Sequence, residues 1–267
     1  MKFSIVTTVL NGAAFIGATI QSVLAQTHTD WDYVIIDAGS TDGTLDIVSR
    51  AASADSRITL KQDPGVGMYA AILGELSQST GEMLSWINAD DLYTPWAFER
   101  VVQHLIKDPG ADWVTGLPAA WDQNGVLTLV RPQGLHPRAL IRSGWFHGEL
   151  LGFLQQESMF FSRALVEKLD RTEIHRIQAF DLAGDYALWR CLASHAPLRT
   201  IPSVLGGFRV HAGNRSVLEG EAYLAEVRRD GAVFLPWPLK PLVRRIYWLF
   251  AGEAVRAAAT SAETADR

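Results

Sequence analysis

A single cysteine, Cys191, is all the thiol chemistry that 267 residues offer. One thiol cannot close an internal disulfide or build a thiolate metal cluster, and its place between Arg190 and Leu192 in a helical pattern predicts a small buried hydrophobe. Nowhere does the chain carry the roughly 18 consecutive apolar residues that spanning a bilayer requires. Met1 to Val9 is too short an apolar run for a signal peptide, so the expected address is cytosolic, with attachment to a membrane surface left open. Positive charge is also scarce. Lys and Arg number 24 against 29 Asp and Glu, a net charge of -5, and nucleic acid is not expected as a partner. After the first predicted strand there is no G-x-G-x-x-G turn of the kind a dehydrogenase uses. Nor is there the basic, glycine-rich loop of a nucleotidyltransferase, because Thr8-Val9-Leu10-Asn11-Gly12 stands there. No repeat, low-complexity tract or clear linker interrupts the chain.

What the chain has instead is alternation. Short β-branched or apolar runs take turns with helical patterns through the first half, which predicts an α/β fold around a mainly parallel, Rossmann-like sheet flanked by helices. Strands are predicted at Lys2 to Val9, Trp31 to Asp37, Ile58 to Gln62, Glu82 to Asn88 and Asp112 to Leu117. Helices are predicted over Ala14 to Gln26, Thr44 to Ala54, Tyr69 to Leu76 and Thr94 to Ile106. In such sheets ligands gather outside the carboxyl ends of the strands, where Asn11, Asp37 and Asp90 fall. The second half is less regular. Trp121 to Leu127 reads as a hairpin turning at Asn124-Gly125, followed by a helical segment near Pro137 to Gly144, a strand near Ser158 to Phe161 and a helix from Gly184 to Ser194. The alanine-rich tail after Gly252 is expected to fray.

Two adjacent carboxylates end the run Ser85-Trp86-Ile87-Asn88-Ala89-Asp90-Asp91-Leu92-Tyr93. Neighbouring Asp side chains repel, so they sit most easily where water, a helix N-terminus or a cation offsets the charge. Taken alone, the stretch reads first as a strand end turning into the helix announced by Thr94 and Pro95, with Trp86 in the core. Asp37 likewise ends a strand and enters the turn Ala38-Gly39-Ser40-Thr41-Asp42-Gly43-Thr44, where Asp42 or Thr44 can cap the next helix. Capping leaves Asp37 unexplained. Its strand-end position suits a ring nitrogen or a ribose hydroxyl.

Six fragments in order, FSIVTTVLN, SVLAQT, the Asp37 turn, STGEMLSWINADDLY, GDYALWRCLA and FRVHAGNRS, resemble the family 2 glycosyltransferases of the nucleotide-sugar-dependent GT-A fold. The resemblance runs from about Phe3 to Ser216. It implies transfer of a sugar from a nucleoside diphosphate sugar, UDP-linked, to a glycan or lipid-linked acceptor with inversion, in polysaccharide or glycoconjugate biosynthesis. Residues 1–117 would form the nucleotide-sugar half, and residues 118–235 a smaller α+β, acceptor-side half of the same compact domain. By position, Thr8, Asn11, Asp37, Asp63 and Asp90 correspond to the nucleotide pocket, and Asp91 and His211 to ligands of Mn²⁺ or Mg²⁺. Carboxylate and phosphate oxygens are donors these cations favour. Gln156 and Glu157 fall on the acceptor side. Asp185 matches the general base that takes the proton of the attacking hydroxyl, although an Asp at a helix start is also a cap. Arg209 and Arg215 are candidates for phosphate oxygens, and Trp145, Phe146 and His147 for a mobile loop.

Some positions depart from the family's pattern. Ala38 stands where many relatives carry a second acid or a glycine. In KQDPGVGMYAAILGEL the positions of two Asp and one Asn hold Gly65, Ala70 and Leu73, with Asp63 a substitute by a shift. These changes leave open a nucleotide- or glycan-binding relative with impaired turnover, against which Asp91 and Asp185 argue. The segment 236–267 is expected to form an amphipathic helix and tail. Leu242, Ile246, Leu249 and Phe250 recur there at helical spacing beside Arg244 and Arg245. Two covers suit that stripe: protein, either this domain or the second subunit of a homodimer, and the surface of an anionic bilayer.

Overall fold

The computed structural model describes residues 1–132 and 134–251; the tail expected to fray lies outside them. The chain begins β1 (Phe3–Val9), α1 (Ile16–Leu24), β2 (Trp31–Asp37), α2 (Thr44–Ala54), β3 (Ile58–Gln62), α3 (Met68–Leu76) and β4 (Met83–Trp86). These four strands are parallel, with β1 between β2 and β4. Helices cover both faces, which is why the strands read as nearly continuous apolar runs. There follow β5 (Leu92–Tyr93), α4 (Ala97–Lys107), β6 (Trp113–Thr115), β7 (Ala119–Trp121), β8 (Leu127–Val130), α5 (Arg138–Arg142), a short 3₁₀ turn (Gln156–Ser158) and β9 (Phe160–Ser162). The last part holds α6 (Arg163–Val166), α7 (Arg171–Gln178), α8 (Gly184–His195), β10 (Arg199–Thr200), β11 (Gly206–Arg209), α9 (Arg215–Leu218), α10 (Gly220–Arg229) and a helix over residues 240–251.

The main sheet has the order β10-β6-β9-β4-β1-β2-β3. Strand β9 enters between β4 and β6 and runs antiparallel to both, so its N-terminal end lies beside the carboxyl ends of its parallel neighbours. Alternation along β9 feeds both cores. Phe160 joins Phe3, Tyr33 and Phe98 on one face, while Phe161 joins Trp86, Trp113 and Trp189 on the other. Trp86 stacks on Trp189 with centroids 5.3 Å apart. Cys191 is buried in that second core. A smaller sheet, β5-β11-β7-β8, leans across the same end.

The strand expected to reach Asn88 stops at Trp86, because Asp91 N–H turns back to the Asn88 carbonyl at 3.2 Å. The hairpin turns where expected, with Gly125 at φ +80°. Helix α7 was not expected. It starts on a capping box in which Asp170 accepts from Glu173 N–H and Glu173 reaches back to Asp170 N–H. Phe146 and His147, expected in a mobile loop, are buried instead, with His147 stacked on Phe234 at 4.3 Å. Among the described residues no helix is long and apolar enough to cross a membrane. The helix over residues 240–251 buries Tyr247 and Ala251 and leaves Leu242, Ile246, Leu249 and Phe250 exposed.

Candidate functional site

The loops that follow β1 and β2 are tied together by side chains. Asn11 has a left-handed backbone, φ +53°, which Asn tolerates better than most residues. Its Oδ1 accepts from Thr41 N–H at 2.9 Å, and its own N–H donates to Ser40 Oγ at 2.8 Å. Asp42 accepts from the Thr44 hydroxyl at 2.5 Å and, across the gap, from Ala13 N–H at 3.0 Å, which hold its carboxyl below the ordinary value. Asp37 is fully buried; Oδ1 accepts from Gly39 and Ser40 N–H, both at 2.9 Å, while Oδ2 has no partner. Thr8 is half-buried at the end of β1, and Asp63 is exposed beyond β3, its N–H on the Asp37 carbonyl at 3.0 Å. Of the departures, Leu73 is buried core and Gly65 sits in the bend with φ +90°.

The two adjacent acids have different surroundings. Asp91 is closed to solvent. Its Oδ1 accepts from Arg209 N–H at 2.8 Å and its Oδ2 from Asn88 Nδ2 at 3.0 Å. Burial first, then Glu157 and Asp90, push its carboxyl well above the ordinary range. Asp90 is the open one, with its side chain 30% exposed and Oδ2 2.9 Å from His211 Nε2. His211 is stacked on Phe15 at 4.2 Å. Asn214 fastens the corner: Oδ1 accepts from His211 N–H at 2.7 Å, and Nδ2 donates to the Arg209 carbonyl at 3.1 Å and to Asp90 at 3.3 Å. Asn214, Asn88 and Phe15 were not singled out in the sequence, although Asn214 lies within FRVHAGNRS.

A carboxylate oxygen and an imidazole nitrogen side by side are donors that Mn²⁺ accepts and that Mg²⁺, preferring oxygen alone, suits less well. The imidazole is set for Asp90 as it stands: Nδ1 accepts from Gly213 N–H at 3.1 Å, leaving the proton on Nε2. A cation on Nε2 therefore needs the other tautomer and the loss of the Gly213 contact. Among the described residues no three His, Cys, Asp or Glu side chains surround one point. Asp90 and His211 are therefore at most a partial donor set for such a cation. Arg209 lies beside it, 3% exposed, its guanidinium 5.2 Å over the Phe15 ring and its Nε and Nη2 without partners. Burial lowers its pKa, against the pull of Asp91 and Asp90. Arg215 is instead paired with Glu219 at 3.0 Å.

The chain reaches the same place from the far side through the 3₁₀ turn before β9. Gln155 clasps the Ala119 backbone at 2.8 and 3.0 Å, and Gln156 Nε2 donates to the Trp86 carbonyl. Glu157 is buried with Oε2 unpartnered, and burial, with Asp185 and Asp90 adding, pushes its carboxyl up to about 7. Gly206 makes room for this turn, since a Cβ there would lie 2.1 Å from the Glu157 carbonyl oxygen. Asp185 stands in the first turn of α8, half-buried, accepting Tyr186 N–H at 2.7 Å. Burial raises its carboxyl to about 6. Glu157 thus lies within electrostatic reach of both Asp185 and Asp90.

Residues 4–168 match the model of the family described as "Glycosyl transferase family 2". A PGL/p-HBAD biosynthesis glycosyltransferase of Mycobacterium tuberculosis is 35% identical over 116 residues, 43% of this chain and 45% of the relative. A glycosyltransferase of Nostoc sp. is 34% identical over 104 residues, 39% of this chain and 32% of the relative. Each alignment spans less than half the length of the curated relative. Among solved structures, Staphylococcus aureus TarS in complex with UDP has a TM-score of 0.60 at 16% identity, covering 93% of this chain and 71% of that one. A mannosyltransferase of Pyrobaculum calidifontis in complex with GDP-Man and Mn²⁺ has a TM-score of 0.60 at 20% identity, covering 97% and 75%. At these identities the likeness speaks for the fold, a GT-A fold.

Proposed function

The chain belongs to glycosyltransferase family 2, and from that we propose that it moves a sugar from a UDP-sugar to a hydroxyl of a glycan or lipid-linked acceptor with inversion. The observation that carries this reading is the pair formed by an open carboxylate, Asp90, beside His211, and a second, half-buried carboxylate, Asp185, with Glu157 in reach of both. Asp90 and His211, rather than the enclosed Asp91, would hold the divalent cation, Mn²⁺ in preference to Mg²⁺. When bound, the cation neutralises charge gathering on the departing nucleoside diphosphate. Asp185 takes the proton from the acceptor hydroxyl as that oxygen attacks the anomeric carbon from the opposite face. With its carboxyl raised to about 6 it is still ionised at neutral pH, yet binds a proton more readily than an ordinary aspartate. Thr8, Asn11, Asp37 and Asp63 would border the nucleoside, and Gln156 and Glu157 the acceptor. The test is release of nucleoside diphosphate from UDP-GlcNAc, UDP-glucose and GDP-mannose with Mn²⁺, compared with Asp185→Asn. If no sugar nucleotide is consumed, or the variant matches the parent, the reading fails.

The exposed stripe Leu242, Ile246, Leu249 and Phe250, with Trp248 and Arg245 beside it, favours the surface of an anionic bilayer as a partner. Tyr247 and Ala251 already fasten the opposite side of that helix to the domain, so among the described residues packing within the chain leaves the stripe uncovered.

A further inference from the structure

Helix α10 sits across the entrance to α8. Its Asp230 end is fastened by Arg176 of α7 at 2.6 Å and Arg190 of α8 at 2.5 Å. One turn earlier Glu226 reaches the loop that leads into α8. Its Oε1 accepts from Asp181 N–H at 3.1 Å, and its Oε2 from Leu182 and Ala183 N–H at 3.0 and 2.9 Å. Three consecutive backbone donors thus converge on one carboxylate. The residue before α8, Ala183, supplies no side-chain cap, and Glu226 binds the N–H groups of the loop that leads into the helix, while Asp185 itself accepts from Tyr186 N–H in the first turn. The opposite side of the loop is held as well. Tyr69 OH donates to the Leu182 carbonyl at 2.8 Å, and the Tyr69 ring fills the space where a Cβ on Gly184 would lie 2.4 Å away.

We infer that Glu226 is a positioning residue for Asp185: by binding the N–H groups of residues 181–183 it fixes the start of α8 and keeps Asp185 in its half-buried place. The inference rests on Asp185 being the base, but concerns how that carboxylate is held. Charge-assisted hydrogen bonds to a carboxylate are stronger than neutral ones, and three on successive residues restrain the loop that two bonds on a flexible side chain would not. Position and proton affinity are linked here, because burial is what raises the Asp185 carboxyl to about 6. The ionisable groups facing it are Glu157 from the turn before β9, Tyr69 from α3 and Tyr223 from α10. None of these is removed when Glu226 is changed.

The test is a ¹³C-carboxyl NMR titration of Asp185, its signal assigned by loss in Asp185→Asn, together with amide exchange of residues 181–183. Both are measured on the full chain without any sugar nucleotide. In Glu226→Gln an amide NH₂ faces backbone N–H donors that the carboxylate had bound. Exchange should quicken by about tenfold or more, the factor that loss of one such bond corresponds to. The Asp185 midpoint should fall from about 6 toward the ordinary aspartate value as the loop loosens. Asp230→Asn, which weakens the other anchor of α10, should lower the melting temperature and leave both readouts in place. An unchanged Asp185 midpoint in a folded Glu226→Gln protein overturns the inference, and so does Asp230→Asn moving it equally. Should Glu226→Gln fail to fold, Glu226→Asp, which withdraws the carboxylate by one methylene, carries the same two readouts. Activity of Asp185→Asn at the parental level would instead remove Asp185 from catalysis and leave the positioning result standing.

Discussion

Replacing Asp185 by Asn should trade activity for stability, with a size set by burial. The carboxyl is lifted from 3.8 to about 6, which corresponds to about 3 kcal/mol favouring the protonated form in the fold. The sign follows from linkage: a raised carboxyl leaves the fold unburdened below the unfolded value near 3.8, and the penalty grows as pH rises through about 6. Asn imitates the protonated acid. At pH 7 the variant should therefore be more stable than the parent, by up to about 3 kcal/mol or several degrees in Tm. The gain should vanish toward pH 4. Transfer should move the other way, falling about a hundredfold to ten-thousandfold on loss of a general base. In the parent, kcat should decline about tenfold from pH 7 to pH 5 as the carboxylate is protonated. Urea unfolding at pH 7 and 4 measures the first effect, and nucleoside diphosphate release across the pH range the second. A variant no more stable than the parent at pH 7, together with a parental rate that is flat down to pH 5, would refute the reasoning.

Asp90→Asn and His211→Ala should each weaken Mn²⁺-dependent UDP binding by about tenfold or more, whereas Asp91→Asn should leave it near parental; calorimetry showing the reverse ranking would return the cation to Asp91. Gly206→Ala places a methyl against the Glu157 carbonyl and should cost about 1–3 kcal/mol in urea unfolding; parental stability would mean that β11 yields freely. Changing the exposed Leu242, Ile246, Leu249 and Phe250 to Gln should abolish flotation with anionic vesicles at low salt without lowering Tm. If the parent does not float, or the variant instead dissociates a dimer, the stripe is not a lipid-facing surface.

The parallel core was legible because strands covered on both faces advertise themselves as apolar runs: β2 and β3 lie where the sequence places them, and β1 differs by one residue. Less could be read where tertiary contacts decide. In sequence Asp90 and Asp91 are alike; only the Arg209 N–H, delivered by β11 from 118 residues away, encloses one and leaves the other open. Helix α7 did carry a signal, Asp170 followed three residues later by Glu173, but its apolar content is low. Helix α10 is held by Asp230 on Arg176 and Arg190, pairs that no local pattern encodes. Glu226 on its own reads as one more solvated acid.

Strand β9 also sets a timetable. The facing edges of β4 and β6 are separate until Phe160–Ser162 arrives, roughly 75 residues after Trp86. At synthesis rates of about 5–20 residues per second, the growing chain holds these two edges unpaired, and Phe3 and Phe98 without Phe160, for several seconds. Exposed strand edges invite pairing with other chains, and domains complete only late in synthesis are the ones that holding chaperones meet. A nascent chain arrested before residue 160 should therefore be protease-sensitive and chaperone-bound, and one arrested well beyond residue 162 markedly less so.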